Sequence, residues 1–360
     1  MTVTGQVRWG IVGTAKIART AFLPGLRVAG GVAAAVAARD LARAQDYAHA
    51  NVIGRAIEGY QNLIDDPDVD ALYIPLPNGL HAEWTIQALR AGKPVLCEKP
   101  LCGSLAETER VLGVARETGT LLWESFVFPF HAQMERIRGL LADGAIGELR
   151  EIQSDFHFRL DDPANIRMTQ DLAGGALNDV GCYPVRLARE LFGDEHESAW
   201  ATARWGGGGG AAGTRAAGTR AAGTRAAGTR AAGAGAADGV DVDTQGSLGF
   251  PGGRRLLLSC GFGRSLDTFS RLLGTGGQIH VSNAFHPGPD DHFEVFAEGT
   301  EPRKYQAAGT EPSFTAAIAH IQAVIRGEQA PRSLAIDTSL GSAQALHDLR
   351  ESAATAKTSA

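Results

Sequence analysis

The chain has 360 residues, 44 % of them hydrophobic and 21 % charged, with a formal net charge of −6. That is enough chain for two globular domains, and the acidic balance argues against unspecific binding to a polyanion. Residues 206–237 are almost only Gly, Ala, Thr and Arg; without them 30 basic and 40 acidic residues remain, a net −10.

Up to residue 125, short apolar runs alternate with helical patterns. Strands are expected at 7–12, 32–38, 71–76, 95–97 and 121–123, and helices at 16–28, 41–50, 80–91 and 105–117. Such alternation with short connections describes a parallel sheet covered on both faces. Asp40 and Ser104 stand at N-cap positions, Ser104 with Glu107 three residues on, and Gly92 and Gly119 follow helix ends.

The pattern changes after Phe130. Helices at 133–141 and 178–192 flank a long alternating run, 148–160. Strand-like runs at 198–205, 242–250, 255–262, 269–273, 278–281 and 292–297 then follow one another, which describes a large, open, mainly antiparallel sheet. Helices at 313–326 and 338–353 close the chain, and 355–360 reads as a frayed tail. The unit Ala-Ala-Gly-Thr-Arg occurs four times over 211–230, with a period that fits neither a coiled coil nor a solenoid. Lacking large apolar groups, 206–237 reads as a mobile loop between strands, the alternative being an arginine arm for an anionic partner. The expected division is an α/β domain, 1–126, and an α+β domain, 127–354.

Cys97, Cys102, Cys182 and Cys260 form no C-x-x-C pair and no zinc spacing, so no metal site is expected and a reducing, cytoplasmic setting is. The N-terminus lacks the pattern of a signal peptide, and the uncharged run 28–38 is too short to span a bilayer.

Gly10, Gly13, Ala15 and Ala18 lie where the first strand opens into a helix, the place where a doubly wound fold binds pyrophosphate on helix amides. Gly13 stands as the first glycine of that fingerprint, with Ala15 and Ala18 in place of the second and third. The Ala15 methyl restricts approach to phosphate, so a tight turn that binds nothing is the competing reading. Arg39 follows Ala38, where a ribose-binding carboxylate usually stands; a guanidinium there suits the 2′-phosphate of NADP. Asp40 is the argument for NAD, but its capping position accounts for it. A solvated surface charge is the plain alternative for Arg39.

Leu76, Pro77, Asn78 and His81 follow the strand 71–76, at the edge where such sheets bind ligands. His81 is an acid–base by type and, more simply, a structural histidine at a helix start. Glu98 and Lys99 end the strand 95–97, and Pro100 holds Lys99 extended, so its amine can be aimed at a cleft. In the second half Gly174, Gly175, Asp179, Gly181 and Tyr183 share one segment, with Asp179 and Tyr183 on one helix face. A tyrosine beside a lysine cation is expected to have its pKa lowered from about 10, making it a proton carrier. A capping Asp and a half-buried, packed Tyr are the structural alternative.

In order, G-x-x-G-x-x-x-x-A, P-N-x-x-H, E-K-P and G-G-x-x-x-D-x-G-x-Y resemble the glucose–fructose oxidoreductase/inositol dehydrogenase/rhizopine-catabolism (Gfo/Idh/MocA) family, over about residues 7–192. The resemblance implies an N-terminal Rossmann domain and a C-terminal sheet domain whose face mediates homodimers or higher oligomers. With Glu124, Ser125, Phe126, Asn165, Ile166 and Arg167, the chain looks most similar to the NADP-dependent D-xylose dehydrogenase and dihydrodiol dehydrogenase branch. That implies reversible hydride transfer between NADP, or NAD, and a hydroxyl or hemiacetal carbon of a sugar, polyol or diol. Lys99, Tyr183 and Asp179 would be catalytic. Gly13, Thr14, Ala15, Lys16, Ile17, Ala38, Arg39, Leu76, Pro77, Asn78, His81, Glu98 and Lys99 would line the cofactor, and Phe126 and Arg167 the substrate. A ketoreductase or dehydrogenase acting at a ring carbon of a nucleotide-linked sugar, a redox-neutral use of tightly held NAD, and a non-catalytic NADP-binding regulator are the alternatives. The expected partner is a small molecule, with neither nucleic acid nor membrane.

Overall fold

A computed structural model of the chain describes residues 4–206, 239–307 and 311–358. Its first half is a parallel sheet of β1 (Arg8–Val12), β2 (Val32–Ala38), β3 (Arg55–Glu58), β4 (Ala71–Ile74), β5 (Val95–Cys97) and β6 (Leu122–Glu124), in the order β3-β2-β1-β4-β5-β6. This is the doubly wound order, with its switch point between β1 and β4. Both faces carry helices, so a central strand such as β4 is buried at every residue and reads as a continuous apolar run. The edge strand β3 and the helix after it were not expected; Arg-Ala-Ile-Glu is short, half exposed and without alternation.

The helices of this half are α1 (Leu23–Val28), α2 (Leu41–Asn51), α3 (Tyr60–Ile64), α4 (Asn78–Arg90) and α5 (Leu105–Thr118). A π-helical segment, Ala18–Phe22, leads into α1. Pro24 has no N–H to offer the carbonyl four residues back, which opens the turn there. The expected caps form: Asp40 accepts from the Arg43 N–H at 2.9 Å and Ser104 from the Glu107 N–H at 3.3 Å.

The second half contains α6 (Ala132–Ala142), β7 (Leu149–Arg159), α7 (Cys182–Phe192), β8 (Ser198–Gly206), β9 (Val240–Phe250), β10 (Arg254–Gly261), β11 (Gly263–Asp267), β12 (Ser270–Gly274), β13 (Gly277–Val281), β14 (His292–Ala297) and β15 (Arg303–Gln306). These make a nine-stranded sheet, β15-β14-β13-β12-β7-β10-β9-β8 with β11 beside β7; the β7–β10 pair is parallel and the others antiparallel. Alternate residues such as Leu256, Leu258 and Cys260 face α7 and α9 (Ala335–Thr358) and form one core with Val185, Leu187, Leu346 and Leu349. On the opposite face Trp200, Ser247, Leu257, Gln153 and Arg271 stand in one register row across five strands, with Trp200 and Leu257 exposed. The repeat-bearing loop expected over 206–237 lies outside the described residues apart from Gly206, which closes β8.

Two returns cross the expected division at residue 126. The first is α8 (Thr315–Ile325): Phe314, Ile318 and Ile321 complete a core with Trp9, Phe22, Leu26 and Tyr73. Phe22 stacks on Tyr73 at 4.0 Å, and Phe314 meets both rings edge-on. The second is α9, whose start packs with the parallel sheet and whose middle lies under β8. Ser339 of α9 donates to the buried Glu124 carboxylate at 2.6 Å. The tail expected to fray from 355 is instead helical to Thr358. Among the described residues, no helix is long and apolar enough to cross a membrane, and no group of His, Cys, Asp or Glu is placed to hold a metal ion.

Candidate active site

Three loops at the carboxyl edge of the parallel sheet, and one segment of the second half, converge. Gly13 has φ of +100°, and a Cβ there would sit 2.8 Å from Leu76, so only glycine closes the β1 turn this tightly on the loop after β4. Thr14 and Ala15 follow it, half exposed, before the exposed first helical residues Lys16 and Ile17. Ala38 ends β2 and is buried, while Arg39 is exposed and makes no side-chain bond among the described residues. Arg43, in the first turn of α2, donates to the Thr14 hydroxyl at 2.8 Å. It brings a second guanidinium to this turn; nothing in its sequence surroundings marks it, and the fold supplies the proximity.

The loop after β4 is tied down rather than free. His81 is fully buried, with its ring nitrogens 2.9 Å from the Pro100 carbonyl and 2.7 Å from the Leu76 carbonyl. It fastens the Leu76–Pro77 loop to the Lys99–Pro100 loop instead of facing a ligand. Asn78 donates to the Ala173 carbonyl at 3.0 Å, which fastens the same loop to the second half. Glu98 accepts from the Tyr73 hydroxyl at 2.6 Å and from the Lys99 N–H at 3.3 Å.

Lys99 extends from the end of β5 towards the second half. Its Nζ donates to the Asp179 carbonyl at 2.7 Å, lies 3.7 Å from the Asp179 carboxylate, and sits 4.7 Å from the Tyr183 ring centroid. Asp179 belongs to a π-helical turn, Leu177–Gly181, that runs into α7 and so presents both its carbonyl and its carboxylate to one amine. Arg167 donates to the other Asp179 oxygen at 2.6 Å. Gly174 and Gly175 allow this: a Cβ on either would strike the Arg167 carbonyl or Asp241, and Gly175 has φ of +108°. Burial works to lower the Lys99 pKa, but the Asp179 carboxylate beside it opposes this, and the ammonium is held charged.

Tyr183 is 5 % exposed and enclosed by Phe126, Phe128, Phe156, Phe285 and His286, with ring centroids 5.1 to 6.4 Å away. The expected lowering of its pKa does not occur. Burial raises it above its ordinary value and Lys99, seated over the ring face, only partly opposes this, so Tyr183 is a neutral hydroxyl near pH 7. Phe126, expected beside a substrate, is buried and packs edge-on against the Tyr183 ring at 5.4 Å. His286, on the loop after β13, lies with its Nε2 2.9 Å from the Tyr183 hydroxyl. The protein around the ring and the Lys99 cation shift its pKa down, so the ring is neutral near pH 7. No motif surrounds His286 in the sequence; only the fold brings it here.

The arrangement can hold a negative oxygen beside an anchored ammonium and exchange a proton with it through a phenol. Two family models match the chain: the oxidoreductase family with an NAD-binding Rossmann fold over residues 7–126, and the GFO/IDH/MocA C-terminal domain over 134–280. The chain belongs to the Gfo/Idh/MocA oxidoreductase family. Within the family it is similar to a dTDP-3,4-didehydro-2,6-dideoxy-alpha-D-glucose 3-reductase of Streptomyces violaceoruber, 36 % identical over 89 % of this chain and 85 % of that protein. It is also similar to a D-xylose 1-dehydrogenase (NADP(+)) of Haloferax volcanii, 44 % identical over 51 % of this chain and 56 % of that protein. Among solved structures, a 3-ketoreductase from Actinomadura kijaniata in complex with NADP and TDP-benzene matches with a TM-score of 0.81 and 29 % identity, covering 97 % of this chain and 98 % of that one.

Burial lowers the pKa of His81, so the folded state favours its neutral form. The unfolded chain, with a pKa of about 6.5 at this residue, then takes up more protons below that pH, and stability falls as the solution is acidified. A His81→Asn variant is expected to lose part of the slope of urea-unfolding stability between about pH 6.5 and 5. An unchanged slope would show that His81 contributes nothing to acid sensitivity.

Proposed function

We propose that the protein is an NADP-dependent oxidoreductase acting on a hydroxyl or hemiacetal carbon of a sugar, with Lys99, Tyr183 and Asp179 as its chemical groups. The observation that carries this reading is the meeting of residues from two separate motifs: Lys99 Nζ on the Asp179 carbonyl at 2.7 Å and over the Tyr183 ring at 4.7 Å. Tyr183 exchanges the hydroxyl proton. Lys99, fixed by Asp179, stabilises negative charge on the same substrate oxygen. Arg167 orients Asp179 and, half exposed, offers a polar edge to the sugar. Bound NADP would supply or accept the hydride.

The residues around β1 and β2 fit that cofactor. The Gly13 turn leaves the helix start at Lys16 and Ile17 open to a pyrophosphate, and the unengaged Arg39, with Arg43 close by, suits a 2′-phosphate. Leu76, Pro77, Asn78 and Glu98 would border the nicotinamide end, with His81 holding their loop from behind. A reducing compartment fits four buried free thiols. A homodimer through the uncovered sheet face fits the exposed Trp200 and Leu257, and a solution mass of a single chain would remove that part of the proposal.

A second reading, reduction at a ring carbon of a nucleotide-linked sugar, is favoured by the extent of similarity. One relative named for that reaction matches 89 % of the chain and the A. kijaniata structure covers 97 % of it, whereas the xylose dehydrogenase, like other relatives named for that reaction, matches about half. The A. kijaniata ketoreductase has also been solved with its NADP and TDP-benzene after changes at one lysine and one tyrosine. Those positions lie as far apart in its sequence as Lys99 and Tyr183 do here.

The test is a panel of aldoses, polyols, diols and dTDP-linked keto sugars with NADP(H) and NAD(H), read at the nicotinamide absorbance. On an active panel member, Lys99→Met and Tyr183→Phe are each expected to lose about 10²–10⁴ in kcat. Near wild-type turnover in both would overturn the assignment. Arg39→Asp is expected to weaken NADP at least about tenfold more than NAD, as loss of a charge-assisted pair implies. Equal weakening of the two would remove the preference for NADP.

A further inference from the structure

We infer that His286 carries the reaction proton between Tyr183 and solvent. The inference rests on Tyr183 being the proton carrier of the proposed reaction. Oxidation of a carbinol carbon breaks one C–H and one O–H bond; the hydride leaves with NADP and one proton is left over for water. Tyr183 cannot store that proton, because it is already a neutral phenol, enclosed by four phenylalanine rings. To accept a proton from the sugar hydroxyl it must release its own in the same event.

Among the described residues, the one hydrogen-bond partner of the Tyr183 hydroxyl is His286 Nε2, at 2.9 Å. The neighbouring groups are otherwise engaged. Lys99 is a held ammonium with no lone pair, bonded to the Asp179 carbonyl, and the Asp179 carboxylate lies between Lys99 and Arg167. His286 is different, since it is exposed while Tyr183 is not. Its backbone is held in place: the His286 N–H donates to the Asn283 side chain at 3.0 Å, and Asn283 Nδ2 donates to the His286 carbonyl at 2.8 Å. A neutral imidazole can take a proton at Nε2 as it gives one up from Nδ1, so it passes charge without keeping it. In the oxidative direction the sugar proton moves to Tyr183 Oη, the phenol proton to Nε2 and the Nδ1 proton to water. Reduction runs the same steps backwards.

The test uses the full-length enzyme, NADP and the panel compound turned over fastest. His286→Ala and His286→Gln are both expected to lose about tenfold or more in kcat. Free imidazole added to the assay should restore both variants in proportion to its concentration and leave the wild type unchanged. Glutamine can still hold the phenol but cannot relay a proton. A His286→Gln enzyme with wild-type kcat, or a loss in both variants that imidazole does not reverse, would overturn the relay. Unchanged NADPH affinity in both variants reports that the fold is intact. If Tyr183→Phe is inactive while the His286 variants run at full rate, the relay fails and the function stands. If Tyr183→Phe retains full activity, or no panel compound is turned over, the functional reading fails and the relay with it.

Discussion

One ammonium, that of Lys99, ties the parallel sheet to the second half at the point where chemistry is proposed. It comes from the end of β5, and its partners, the carbonyl and carboxylate of Asp179, come from the entrance to α7. A charge this enclosed is tolerable only because it is both paired and hydrogen-bonded. The rest of the site is built to keep that pairing. The π-helical turn at Leu177–Gly181 turns two oxygens of one residue towards the amine, the glycine pair lets Arg167 close on Asp179, and Asn78 fixes the neighbouring loop to Ala173. Removing any one of these supports moves a charge, not merely a side chain.

The aromatic enclosure of Tyr183 has two consequences that pull in different directions. It excludes water, which strengthens every charge–dipole interaction around the reacting oxygen. It also disfavours a phenolate, so the hydroxyl stays protonated in spite of a lysine nearby. Burial outweighs the opposing pull of the Lys99 cation seated over the ring face. The same enclosure leaves His286 as the hydroxyl's route outward.

The architecture was largely legible because its signals are local. Apolar runs of strand length, caps at Asp40 and Ser104, and loops ending in Gly13, Pro77 and Lys99 each declare themselves within a few residues. What the sequence does not carry is burial and long-range proximity. The Tyr183 shift runs opposite to the expected direction because neighbours can be listed from motifs, whereas depth of burial cannot. The burial of Phe126 beside Tyr183 is likewise invisible in its motif. Arg43 and His286 were missed for the converse reason: each stands alone in its own stretch of chain and acquires partners through the fold. The edge strand β3 escaped because four residues, half exposed, contain no period to detect.

The core shared by Phe22, Tyr73 and Phe314 bears on how the molecule is made. During synthesis the parallel sheet leaves the ribosome long before α8 does. Until residue 325 has emerged, the face carrying Trp9, Phe22, Leu26 and Tyr73 lacks its last layer. The nascent first half therefore exposes apolar surface throughout the interval in which the second sheet is being translated. A chain wired in this way finishes its first domain last, and in the meantime it carries the kind of uncovered apolar surface that chaperones exist to shield.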